Sequence, residues 1–242
     1  MTEERQPIGT EAEPVPGLKP PQEVRAVADA GELELVWHNE LGGLTYRAGD
    51  LYVKWNPLRT GVDLGEERLR LDWLAGRHPV PPVVDFGEND SSQWLITTAI
   101  EGDMAVGDRW RARSDEAIRA IAEGLRAFHA LPVDGVPTTW TPSWVTRHTT
   151  WSGPRPAVDD PVLVHGDACA PNTLISDAGR WVGHVDLGDV AVGDRWADLA
   201  IASLSLDWNF GPGHQQAFFD AYGVDVDGPR LAYYRHLWHQ ES

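Results

Sequence analysis

The rhythm of apolar and polar positions changes partway along the chain. From Glu32, Leu33, Leu35 and Trp37 alternate with polar neighbours, which predicts a strand. Asn39-Glu40-Leu41-Gly42-Gly43-Leu44 reads as a turn, Thr45-Tyr46-Arg47 as extended chain, and Gly49-Asp50 as a second turn into a strand over Leu51 to Trp55. The period then lengthens. Leu64, Leu71 and Leu74 share one face of a helix predicted over Leu64 to Ala75, and Gly76 marks its end. Two strands follow, at Val83 to Gly87 and Trp94 to Ile100, before Glu101-Gly102-Asp103 breaks the pattern as a hinge. Ser114 to Ala130 predicts a second helix, with Ser114 as N-cap and a stripe of Ile118, Ile121, Ala122, Leu125 and Phe128. Pro132 to Pro161 has no period, and both a long substrate-facing loop and a pair of irregular helices fit it. Short buried strands are expected at Val162 to Val164 and Trp181 to Val185. Helices are expected over Ala197 to Leu206, Gln215 to Tyr222 and Leu231 to Trp238.

A strand-rich first part and a helix-rich second part predict an α+β fold of two lobes with a cleft between them. Residues 1–22, with Pro14, Pro16, Pro20 and Pro21 among acids, read as an extended leader. Residues 23–100 then form a β-rich lobe and residues 101–242 a helical one. A hydrophobic content of 42% supports a real core. No run of eighteen apolar residues marks a membrane span, and the acidic N-terminus lacks the apolar stretch of a secretory signal. The single cysteine, Cys169, forbids an intrachain disulfide and fits a reducing cytoplasm. A formal net charge of −17 repels nucleic acid and anionic membranes, so the expected partner is a small molecule.

Chemistry concentrates in residues 162–199, VLVHGDACAPNTLISDAGRWVGHVDLGDVAVGDRWADL. Asp167 follows the apolar run Val162 to Val164, Asn172 comes five positions later behind Pro171, and Asp186 ends a second apolar run before Leu187-Gly188. Hard cations such as magnesium take oxygen ligands, commonly one or two from protein and the rest from water and phosphate. Asn172 and Asp186 meet that demand as metal ligands. Asp167 is then left over to orient an acceptor hydroxyl and take its proton. His165 reads as a hydrogen-bond brace and His184 as a packed strand residue. Asp198 reads as a structural carboxylate, and Cys169 as a bystander with no base at hand to make it a nucleophile.

The spacing Asp-x-x-x-x-Asn followed by Asp before Gly is that of a protein-kinase catalytic loop. His165-Gly166-Asp167 through Asn172, then Asp186-Leu187-Gly188 and Gly193 to Ala200, resembles the aminoglycoside phosphotransferases, especially the 3′-hydroxyl kinases of the kanamycin kinase type. The resemblance runs from about Trp37 to Tyr234. It implies a two-lobed protein-kinase-like fold, with a small antiparallel β lobe and a larger, mostly helical one. It also implies ATP and Mg2+ as cofactors and transfer of the γ-phosphate to a hydroxyl of an aminoglycoside-like molecule. The alternatives are a kinase for a non-aminoglycoside hydroxylated antibiotic or metabolite, and a nucleotide-binding module without turnover.

The same resemblance assigns roles in the first lobe. Lys54 would meet the α- and β-phosphates with Glu67 as its partner, and Tyr52, on the same strand face, would stack on the adenine. Gly42 and Gly43 would form a turn over the phosphates with their N–H groups free, and main-chain groups of Ala99 and Ile100 would meet the adenine edge. Two departures from the family pattern bear on the acceptor. Asp189 stands after the Asp-Leu-Gly where relatives carry arginine. Trp238, His239, Trp208 and Asn209 stand where acidic residues that grip the antibiotic are expected. Trp140, Trp144 and Trp151 make the middle segment aromatic, beside Asp159 and Asp160.

Overall fold

Period-two patterning between Glu34 and Thr98 becomes one sheet in the computed structural model, which describes residues 18–27, 32–39, 41–147 and 150–240. Strands β1 (Glu34–His38), β2 (Leu44–Ala48), β3 (Leu51–Pro57), β4 (Val83–Glu88) and β5 (Ser92–Thr98) lie in the order β1-β2-β3-β5-β4. Every pairing is antiparallel. Val53 pairs with Tyr46 on one side and Ile96 on the other, and these residues join Leu44 and Val24 in a buried cluster. Val24 belongs to α1 (Gln22–Val27), so ordered structure begins where the leader was expected to end; residues 1–17 of that leader lie outside the described residues. Alternation along β3 turns Lys54 to the face opposite Val53. Helix α2 (Leu64–Leu74) starts on Asp63, whose side chain accepts from the N–H groups of Gly65 and Glu66, and buries Leu64, Leu71 and Leu74.

The described residues divide into two compact units, the first ending at Ile100 and the second beginning at Glu101. In the second unit β6 (Asp103–Met104) and α3 (Asp108–Arg111) precede α4 (Ser114–His129), and α5 (Ser143–Arg147) precedes β7 (Val162–Val164). Strands β8 (Thr173–Ile175), β9 (Trp181–His184) and β10 (Ala191–Gly193) follow, then α6 (Arg195–Phe210), α7 (Gln215–Tyr222) and α8 (Gly228–Gln240). The strands form two small sheets, β6-β8-β9 and β10-β7. Ile118, Ile121 and Leu125 of α4 share one core with Leu199 and Leu206 of α6, Phe218 of α7 and Leu237 of α8. No helix of the described residues is long and apolar enough to cross a membrane.

Several expectations are corrected. Ser114 is the first residue of α4 rather than its cap; that place belongs to Arg113, with no side-chain capping bond, because α3 runs almost directly into α4. Among its described residues, the Pro132 to Pro161 segment holds one short helix, α5, in otherwise irregular chain. Strands β6, β8 and β10 escape the pattern because two or three residues are too few to show a period.

Candidate active site

Strand β7 delivers the chain into His165-Gly166-Asp167, and this loop is held from below by one carboxylate. Asp198, fully buried in the first turn of α6, accepts from the His165 N–H at 2.6 Å, the Gly166 N–H at 3.0 Å and His129 Nε2 at 2.9 Å. His129 Nδ1 in turn faces the Tyr222 hydroxyl at 2.7 Å, so α4, α6 and α7 all bear on the loop. The Trp144 indole donates to the Gly166 carbonyl at 2.6 Å. His165 spans the site: its Nε2 lies 3.1 Å from the Val185 carbonyl, and its Nδ1 lies 3.3 Å from the Asp167 N–H. Gly166 has φ +86°, and a Cβ there would lie 2.6 Å from Asp189 Cβ, with the Asp189 carbonyl oxygen nearer still. Only glycine fits.

The three oxygen-bearing residues come together. Asn172 ends a 3-10 turn over Ala170–Asn172, and its amide nitrogen donates to the Asp167 carbonyl at 2.9 Å, which leaves its oxygen to turn elsewhere. The Asn172 carbonyl accepts the Val185 N–H at 3.0 Å, tying the turn to the residue before Asp186. Asp186 has φ +60°, the one non-glycine residue with positive φ among those described, a conformation that costs roughly 1–2 kcal/mol. Such strain points to a site where backbone direction matters. Burial pushes the Asp167 carboxyl above its ordinary range and the Asp186 charge pushes it further, while the Cys169 thiol and His165 oppose them. Asp167 Oδ1 is a buried acceptor with no hydrogen-bond partner among the described residues.

Cys169 keeps the bystander reading: it is buried, and burial and the Asp167 charge push its thiol well up, away from a nucleophile. Support for this loop includes residues read otherwise from sequence. The Ala170 N–H donates to Ser205 Oγ at 2.9 Å, and the Asn209 amide donates to the Ser205 carbonyl at 2.8 Å. Asn209, expected toward the acceptor, is therefore buried beneath the Asp167–Asn172 loop. Trp140 and Trp144 are buried too, and Trp144 packs edge-on to Trp238 at 5.3 Å. Asp159 pairs with Arg230 at 3.7 Å and Asp160 with Arg195, so neither acid stands alone. Apart from the Asn209–Ser205 bond within α6, these contacts have no local sequence signal, since the partners are many residues apart.

In the first unit, Lys54 Nζ meets Glu67 Oε1 at 2.6 Å, with Glu67 buried. Tyr52 sits opposite Arg47 of β2, whose guanidinium lies 6.0 Å from the ring centre. The glycine turn departs from expectation: the Gly42 N–H donates to the Asn39 carbonyl at 3.0 Å and the Gly43 N–H to Asn39 Oδ1 at 2.7 Å. Both amides are spent inside the turn. Gly43 is needed for packing, because a Cβ there would lie 2.6 Å from Asn39 Nδ2 and closer still to Asn56 Oδ1. The Ala99 N–H is likewise spent, on the Asp50 carbonyl at 2.8 Å; the Ala99 carbonyl and Ile100 N–H have no backbone partner among the described residues.

Among the described residues no three His, Cys, Asp or Glu side chains cluster to hold a metal. An amide oxygen and one carboxylate are instead the sparse oxygen set that magnesium accepts when water and phosphate supply the rest, so Asn172 and Asp186 fit it. A carboxylate held apart from that pair, on a loop fastened at both ends, suits phosphoryl transfer, where placement and charge neutralisation dominate. The class defined by this fold and site is the kinase-like phosphotransferases. The chain belongs to the phosphotransferase enzyme family, which its sequence matches over residues 36–152 and 149–234. It is 34% identical over 230 residues to an aminoglycoside 3′-phosphotransferase of Streptomyces fradiae, covering 78% of this chain and 84% of that one. It is 28% identical to a streptomycin 3″-kinase of Streptomyces griseus, over 86% of this chain and 91% of the relative. The crystal structure of an aminoglycoside 3′-phosphotransferase of type VIII superposes with a TM-score of 0.75 at 30% identity, over 89% of this chain and 95% of that one.

Proposed function

We propose that this protein transfers the γ-phosphate of ATP to a hydroxyl of an aminoglycoside-like small molecule. The observation that carries the reading is the convergence of Asp167, Asn172 and Asp186 on one loop system braced by Asp198. Asp167 orients the acceptor hydroxyl and takes its proton as the acceptor oxygen bonds to the γ-phosphorus and the bond to ADP oxygen breaks. Asn172 and Asp186 hold magnesium, which when bound neutralises charge on the phosphates. Lys54, steadied by Glu67, meets the α- and β-phosphates. Tyr52 stacks on the adenine, and the Ala99 carbonyl and Ile100 N–H meet its edge. The relatives described above, named for aminoglycoside and streptomycin phosphorylation, support an amino-sugar acceptor, and the lone buried Cys169 is in keeping with a reducing cytoplasm. The arginine pairing of Asp159 and Asp160 favours a second acceptor class, less cationic hydroxylated metabolites.

The test is ADP release with magnesium across kanamycin, neomycin, streptomycin and neutral polyols, with Asp167→Asn as control. Turnover on an amino sugar that falls at least about a hundredfold in the control supports the reading. Turnover only on neutral polyols moves the acceptor to the second class. ATP binding without turnover on any acceptor reduces the protein to a nucleotide-binding module and sinks the proposal.

A further inference from the structure

The glycine turn poses a problem for a phosphate-binding role: its two glycine amides are consumed by Asn39, so it has no free donors there to offer an anion. A cation stands beside it. Strand β3 ends at Pro57, and the 3-10 turn Leu58–Thr60 that follows carries Arg59 back against the glycines, with Nη2 3.2 Å from where a Gly42 Cβ would be. The register explains the meeting. Leu44 pairs with Trp55, so the turn between β1 and β2 lies beside the stretch from Asn56 to Arg59.

Arg59 is solvent-exposed and makes no ion pair with any described residue, although the chain has 37 acids to 20 lysines and arginines. Several other arginines in this unit are engaged: Arg70 with Glu66, Arg47 with the Gly49 carbonyl, Arg68 over Phe86. Lys54, one of only two lysines in the chain, lies five residues before Arg59 and is committed to Glu67. A guanidinium presents a fork of N–H donors that matches phosphate oxygens two at a time, which an ammonium cannot do.

We propose that Arg59 is a second cationic contact for the nucleotide phosphates, replacing the glycine amides as the donor at this turn. The inference rests on the ATP reading above. Gly42 and Gly43 then serve to let the turn close on Asn39 and leave room for the guanidinium, since a side chain at Gly42, where φ is +93°, would meet Arg59.

Calorimetric titration of the acceptor-free protein with ATP, ADP and adenosine tests this, in the wild type and in the Arg59→Ala, Arg59→Lys and Lys54→Ala variants. The expected result is that Arg59→Ala weakens ATP and ADP roughly ten- to a hundredfold, as loss of a charge-assisted contact would, and leaves adenosine unchanged. Arg59→Lys should recover part of the loss, and the wild-type affinity for ATP should fall with salt more steeply than that of Arg59→Ala. ATP binding within twofold of wild type in Arg59→Ala, with Lys54→Ala clearly weakened, overturns the role of Arg59 and leaves the nucleotide site intact. Equal weakening of adenosine and ATP shows that the arginine only props the turn, which also overturns it. No ATP binding by the wild type removes the underlying reading as well.

Discussion

Asp198→Asn is the most informative single change, because it alters no volume and touches no reacting atom. One oxygen of Asp198 accepts from the His165 N–H at 2.6 Å and from His129 at 2.9 Å; the other accepts from the Gly166 N–H at 3.0 Å. An asparagine offers one acceptor oxygen, so at least one of these sites must face an NH2 group. The cheaper orientation keeps the oxygen on the His165 side and confronts the Gly166 N–H with a second donor. A buried N–H left unsatisfied costs about 1–3 kcal/mol, and the two surviving bonds fall from charge-assisted to neutral strength. The sum is about 3 kcal/mol. For a chain of this size that corresponds to a fall in Tm of roughly 6–12 °C. Asp198→Ala orphans all three donors and should cost about twice as much. The loop also carries Asp167, so kcat should drop at least about tenfold in Asp198→Asn while ATP affinity holds. Thermal melting by circular dichroism and steady-state ADP release measure the two effects. A melting point within about 2 °C of wild type, with kcat intact, would refute the account of Asp198 as the brace of this loop.

Asp167 is held above the ordinary carboxylate range, so the acid limb of kcat should lie above that range as well, and should vanish in the residual activity of Asp167→Asn. Because its folded-state pKa exceeds the unfolded one, the associated stability is present at low pH and is lost as pH rises through the raised value; Asp167→Asn should therefore melt no lower than wild type at neutral pH, and a lower Tm would contradict the electrostatics. Gly166→Ala combines positive φ with a Cβ driven into Asp189, a cost of about 2–5 kcal/mol, read as unfolding at markedly lower denaturant. Lys54→Met leaves the Glu67 carboxylate buried without its cation, worth roughly 2 kcal/mol after allowing for the partial exposure of Lys54. Adding Glu67→Leu should restore part of that loss, and additive single-mutant effects would count against the pair.

Much of the candidate site is readable from residues alone, for a physical reason. Asp167 and Asp186 each follow a run of apolar residues that must be buried, β7 and β9, so each is set on a loop just past a strand end, although the two strands belong to different sheets; Asn172 is tied to Asp167 by a spacing short enough to be local. Lys54 sits in a strand whose alternation assigns its face. What escaped the reading were competitions between partners. The Gly42 and Gly43 amides look available in sequence, yet Asn39, three and four residues away, takes both. Asn209 occupies a position associated with the acceptor but is drawn under the loop by Ser205. Trp144 reads as a substrate aromatic and is a core residue bonded to Gly166.

The sequence by itself determined the two-part α+β order, the strand and helix periods, and the identity and spacing of Asp167, Asn172, Asp186 and Lys54, because these follow from burial patterns a few residues long. Only the tertiary structure decided which groups are spent and which are left to act. Hydrogen-bond donors and ion-pair partners are claimed by whichever group the fold brings nearest, over separations as large as that between His129 and Asp198, and no local pattern records the outcome. That is why the Gly42 and Gly43 amides look available in sequence and are spent on Asn39 in space.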